Sequence, residues 1–158
     1  MIEVDYQVGS NVPANVYVPD EQLVTSWIEA VLEVVSHDKP VQVSVRIVNK
    51  QEITTLNGKY RNMNKTTNVL SFPYEAMPGV ELPLLGDIVV CAEVVNEEAQ
   101  QQGKSLPQHW AHMIVHGALH LLGYDHIDDT EAQQMESVEI KVLSILGFSN
   151  PYGEINTP

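Results

Sequence analysis

Apolar residues alternate with polar ones at Ile2, Val4 and Tyr6, and again at Val41, Val43, Val45 and Ile47. That two-residue period predicts two half-buried β-strands, because successive side chains of a strand point to opposite faces. Between them Leu23, Trp27, Val31 and Val34 recur at helical spacing behind Asp20, an acid suited to capping the first turn. A short helix is expected from about Gln51 to Tyr60, then a polar loop from Asn62 to Thr67 and a strand from Val69 to Phe72 that Pro73 stops. Pro78, Gly79 and Pro83 mark a long loop. Gly86 to Cys91 reads as an apolar strand running into a helix from about Ala92, which Gly103 and Pro107 end. Another helix covers about Gln108 to Leu122. Asp128 and Thr130 offer caps, with Glu131 and Gln133 at the matching third positions, for a last helix that Gly147 closes. Its apolar positions include Met135, Val138, Val142, Ile145 and Leu146. Strands and helices interleaved in this order predict a single α+β domain over residues 1–158, with a mixed sheet of about four strands backed by helices. The tail from about Phe148 reads as irregular and a candidate for mobility.

A chain of 158 residues can bury one sizeable core without staples. Its single cysteine, Cys91, lies in an apolar run, which excludes an internal disulfide framework and points to an inert buried thiol in a reducing, cytoplasmic setting. There is no basic segment followed by an apolar stretch at the N-terminus, and no apolar run near the roughly 20 residues that cross a bilayer, so no membrane association is expected. A net charge of −13 argues against generic nucleic-acid binding. The distribution changes that picture: Arg46, Lys50, Lys59, Arg61 and Lys65 fall in one 20-residue stretch whose only acid is Glu52. This is a local basic strip on an acidic body.

The densest chemistry lies between His116 and His126. His116 and His120 are four residues apart, so on a helix they share one face about 6 Å apart along the axis. Gly123 can end that helix in a left-handed conformation and return His126 to the same point. Three histidines leave one position open on a tetrahedral zinc, the arrangement of catalytic sites, where structural sites are closed by four protein ligands. The metal site is therefore expected on a central helix and the turn that follows it. The spacing is also that of metzincin peptidases, but the glutamate that activates water there is replaced by Gly117, and no other acid lies on this helix.

These residues, with Ala111 to Val115 before and Ile127 to Asp129 after, resemble the signature of the bacterial YbeY family. Leu56 to Arg61 followed by Thr67 to Pro73 resembles a second block of that family, and Leu85 to Val89 a third. The resemblance implies a metal-dependent endoribonuclease specific for single strands, acting on ribosomal RNA in maturation and quality control. It implies one zinc ion per chain on His116, His120 and His126, Arg61 as the catalytic or substrate-binding arginine, and docking on a protein of the small ribosomal subunit through Asp87. DNA is not an expected partner. Asn62, Met63, Asn64 and Thr66 depart from the family, which commonly has Gly, Lys, Asp and Pro there.

Other residues near the motif have structural explanations. His112 is expected to pack behind the ligands and His109 to lie at the surface or helix start. Asp125 and Asp128 are candidates for orienting the imidazoles, or for a turn and a helix cap. Met135 is read as core. Two other functional classes fit the same residues: a zinc hydrolase of peptide or amide bonds drawing its base from elsewhere in the fold, and a non-enzymatic, zinc-containing ribosome assembly factor.

Overall fold

The computed structural model describes residues 2–75, 78–79 and 83–152. In chain order the elements are β1 (Ile2–Val8), α1 (Glu21–Val34), β2 (Val41–Val48), α2 (Lys50–Arg61), β3 (Val69–Pro73), β4 (Leu84–Cys91), α3 (Ala92–Gln102), α4 (Leu106–Leu121) and α5 (Asp129–Ile145). The four strands form one mixed sheet in the order β1-β2-β4-β3, so the α+β expectation holds. β1, β2 and β4 run parallel, and β3 runs antiparallel to β4.

Hydrophobic patterning places the layers. Val41, Val43, Val45 and Ile47 of β2 turn their side chains to the face covered by α1, α4 and α5, where the main core lies. A smaller core of Val48, Ile53, Leu70, Val89 and Cys91 sits under α2 on the opposite face. The thiol of Cys91 is buried, and burial pushes its pKa up, as suits an inert group. Met135 is buried in the main core as expected. Caps fix the helix starts: Asp20 accepts from Leu23 N–H, Asn49 from Glu52 N–H, and Asp128 from Glu131 N–H.

α4 is the central helix, buried along most of its length against α1, α3, α5 and the sheet. It begins earlier than the apolar pattern implied. Ser105 caps it by accepting from Gln108 N–H, and Pro107 sits in its first turn. Proline needs no hydrogen bond there, so Pro107 opens α4 and only Gly103, at φ 67, ends α3. Asn62 ends α2 in the left-handed region at φ 59, which asparagine tolerates. The turn thus survives without glycine, and Asn57 Nδ2 pins the following loop by donating to Lys65 C=O at 3.0 Å. Phe148 to Tyr152 has no helix or strand, as expected, yet is fastened at both ends by Phe148 N–H to Leu143 C=O and by the Tyr152 hydroxyl to Glu139. Residues 153–158 of the tail, and 76–77 and 80–82 of the loop between β3 and β4, lie outside the described residues.

Candidate metal centre

The end of α4 is built to reverse the chain. Gly123 N–H donates to His120 C=O at 3.1 Å and Tyr124 N–H to Leu119 C=O at 3.0 Å, with Gly123 at φ 100. This pair of bonds satisfies the last carbonyls of the helix and needs a residue free to enter the left-handed region. The reversal brings His126 over the two helical histidines. Ring centroids lie 4.6 Å apart for His116 and His120, 5.2 Å for His120 and His126, and 5.8 Å for His116 and His126. One ring nitrogen from each lies within 4.8 Å of the other two, so the three can hold a single ion. The sequence-predicted triad therefore comes together.

Protonation suits such an ion. Nδ1 of His116 lies 2.5 Å from Oε2 of Glu139, a fully buried carboxylate on α5. Burial would raise the pKa of Glu139, but hydrogen bonds from His112, His116 and Tyr152 outweigh it and hold the carboxyl at about 2. An ionised carboxylate only accepts, so the His116 proton resides on Nδ1 and the Nε2 lone pair faces the other imidazoles. His120 is pushed toward its neutral form by burial, and then by the neighbouring His116 and His126. Neutral imidazole is the form a metal binds. The donor set therefore fits a zinc-like ion with three protein ligands.

Glu139 was not foreseen. Its signal in the sequence is an acid on the apolar face of α5, in register with the buried Met135, Val142 and Leu143. His112 packs behind the triad as expected, its Nε2 3.2 Å from Glu139 Oε1 and 3.3 Å from the Tyr152 hydroxyl. The expectation for His109 is corrected. With α4 starting at Leu106, His109 falls inside the helix, is buried, and bonds Glu98 at 2.9 Å, a contact that holds the Glu98 carboxyl below its usual range. Asp125 accepts from the N–H of His126 and stands 3.9 Å from its Nδ1, too far for a hydrogen bond, while Asp128 serves as the α5 cap.

The triad lines a cleft of about 760 Å³ together with Arg61, Asn68 and Ser71. Arg61, distant from the histidines in sequence, thus lines the same cleft as they do. The basic strip is thinner than it looked: Arg46 is paired with Glu52 at 2.8 Å and Lys50 with Glu97 at 2.7 Å. Lys59, Arg61 and Lys65 remain. Asp87 does not join the cleft. It is exposed in a groove with Glu3, Asp5 and Ser44, on the face of the sheet away from α4. Gly117 is a packing requirement: a Cβ there would stand 3.0 Å from Ile88 Cγ2 and 3.3 Å from Ser71 Oγ, and Ser71 donates to the Gly117 carbonyl at 3.1 Å. The sheet occupies the space where a peptidase glutamate would project.

The YbeY family profile, described as "Endoribonuclease YbeY", matches residues 13–147. The chain belongs to the YbeY family. It is 51% identical over 151 residues to the endoribonuclease YbeY of Psychromonas ingrahamii, covering 94% of both proteins. Its fold is similar to the solution structure of TM1509 from Thermotoga maritima, with a TM-score of 0.57 and 26% identity over 100% of this chain and 99% of the other. The span matched to YbeY contains the three histidines, Arg61 and Glu139, whereas Tyr152 lies beyond it.

Proposed function

We propose that this protein is a zinc-dependent endoribonuclease that cleaves single-stranded RNA, working in the cytoplasm on ribosomal RNA during maturation and quality control. The observation that carries the reading is the meeting of His116, His120 and His126 with Arg61 in one cleft. His116, His120 and His126 would hold the ion, which supplies a Lewis acid able to bring the pKa of water down to about 7 and so replaces the missing glutamate. Glu139 keeps the proton of His116 on Nδ1, away from the cleft. Arg61 binds the scissile phosphate, and its planar fork matches the non-bridging oxygens as they gain charge. The attacking oxygen comes from water or from the adjacent 2′-hydroxyl. Asp87, with Glu3 and Asp5, forms a separate acidic face suited to a basic protein of the small ribosomal subunit.

The test is cleavage of matched single-stranded, double-stranded and 2′-deoxy substrates by zinc-loaded protein. Internal cuts in single-stranded RNA alone are expected. Zinc content with no cleavage of any RNA, ribosomes included, would favour the assembly-factor reading. Cleavage of peptide or amide substrates would favour the other hydrolase, against which the packing at Gly117 argues.

A further inference from the structure

Strand β3 is the outer strand of the sheet among the described residues, and two bonds at its ends define which way its backbone points. Tyr74 N–H donates to Leu85 C=O, and Cys91 N–H donates to Asn68 C=O, each at 2.9 Å. In an antiparallel ladder the mutually bonded pairs recur at every second residue. The register Leu70 to Val89 and Phe72 to Asp87 then turns the backbone groups of Asn68, Leu70, Phe72 and Tyr74 into the sheet. Those of Val69, Ser71 and Pro73 point outward, and the same three residues line the cleft beside His116, His120 and Arg61.

A free strand edge normally offers donors and acceptors in turn, a template that another strand can join. This edge has lost two of its three donors. Pro73 has no N–H. Val69 N–H donates to the side chain of its neighbour Asn68 at 2.7 Å. That side chain is held from behind: Asn68 Nδ2 donates to Glu98 at 3.2 and 3.3 Å, and Glu98 is bonded to the buried His109. The arrangement gives His109 and Glu98 a purpose, since they hold Asn68 across the Val69 N–H. What remains is three outward carbonyls and one donor, Ser71 N–H. A peptide strand matches this poorly, and phosphate oxygens, which only accept, are repelled by the carbonyls. A ligand rich in donors fits.

We propose that the outer edge of β3 is a subsite for the riboses and bases of an extended RNA strand flanking the scissile phosphate. The carbonyls of Val69, Ser71 and Pro73 accept from 2′-hydroxyls and base amino groups, while Ser71 N–H is the one donor. The inference rests on the endoribonuclease reading and deepens it by supplying a physical basis for single-strand selectivity. In a duplex the amino groups are engaged in pairing, and only an unpaired strand can be splayed along an edge of roughly 14 Å.

The test scans the RNA, so it needs no altered protein. In a single-stranded substrate of one cleavage site, each 2′-hydroxyl outside the scissile position is replaced by hydrogen, and each base amino group is removed by purine or inosine substitution. Zinc-loaded wild-type protein should show a KM raised about 3- to 10-fold at one or more flanking positions, the weight of a single hydrogen bond. A second measurement compares Ser71→Pro with Ser71→Ala. Both lack the hydroxyl, but only proline removes the outward N–H, at an edge position where proline is tolerated. The proline variant should show the higher KM by a similar factor at equal zinc content. Normal cleavage with a flat scan would overturn the subsite and leave the endoribonuclease reading standing. No cleavage of unmodified RNA would defeat that reading and the subsite with it. Stronger competition by a strand-forming peptide of alternating threonine and valine than by RNA of equal length would assign the edge to a polypeptide instead.

Discussion

His116 Nδ1 and Glu139 Oε2 stand 2.5 Å apart, joining the central helix to the last helix directly behind the candidate metal centre. The bond fixes the tautomer and the orientation of the His116 ring at once, which is how metal-binding histidines are commonly held. Glu139→Gln keeps the shape but removes the charge that makes the group a pure acceptor. Zinc affinity should fall by about 10- to 100-fold, measured by competition with a chelator, with helical content retained. Unchanged affinity would reduce Glu139 to a packing residue.

The same residue predicts how the metal-free protein responds to acid. Its folded pKa of about 2 lies below the ordinary 4.5, so the unfolded chain takes up the proton first. The stability that Glu139 adds is complete above pH 4.5 and is lost as pH falls from there toward 2. His112 and His120 act earlier, because burial lowers their pKa values below 6.5. Their neutral forms belong to the native state, so stability also declines as pH falls below 6.5. Denaturant midpoints measured from pH 7 to 2 should show both declines in the wild type and lose the lower one in Glu139→Gln. A wild-type midpoint that stays flat below pH 4.5 would contradict the assignment.

Arg61 is expected to act on the transition state more than on the bound substrate. Arg61→Ala should keep zinc and fold, yet lose on the order of a hundredfold or more in single-turnover rate at saturating enzyme. Arg61→Lys should recover only part of this, since an ammonium lacks the planar fork. A wild-type rate for Arg61→Ala under these conditions would make the residue a docking contact.

Salt dependence tests the thinned basic strip. With Arg46 and Lys50 paired to acids, the cations left are Lys59, Arg61 and Lys65. Three contacts to a single strand give a slope of about −2 in a plot of log affinity against log salt. A slope near zero, or one near the roughly −3.5 of five contacts, would show that the strip is drawn wrongly.

The triad was legible because helix period and a glycine turn act over eleven residues, so spacing alone brings His116, His120 and His126 together. The strands and the caps at Asp20 and Asp128 were legible for the same local reason. Glu139 was hidden because it reaches His116 from another helix, 23 residues away. A lone acid on an apolar stripe hints at burial without naming its partner. The sequence misplaces His109 because Pro107, following Gly103, reads as a helix end, whereas proline in a first turn marks a start. The insertion of β4 between β2 and β3, which leaves β3 at the edge beside the cleft, is set by long-range pairing that no local pattern encodes.

The most direct test of the account is single-turnover cleavage of a single-stranded RNA by protein stripped of metal and then given one equivalent of zinc. Stripped protein should not cleave, one equivalent should restore cleavage, and His126→Ala should neither retain zinc nor cleave. Cleavage that persists after stripping, or a His126→Ala protein that keeps its zinc while His112→Ala loses it, would contradict a centre built on His116, His120 and His126.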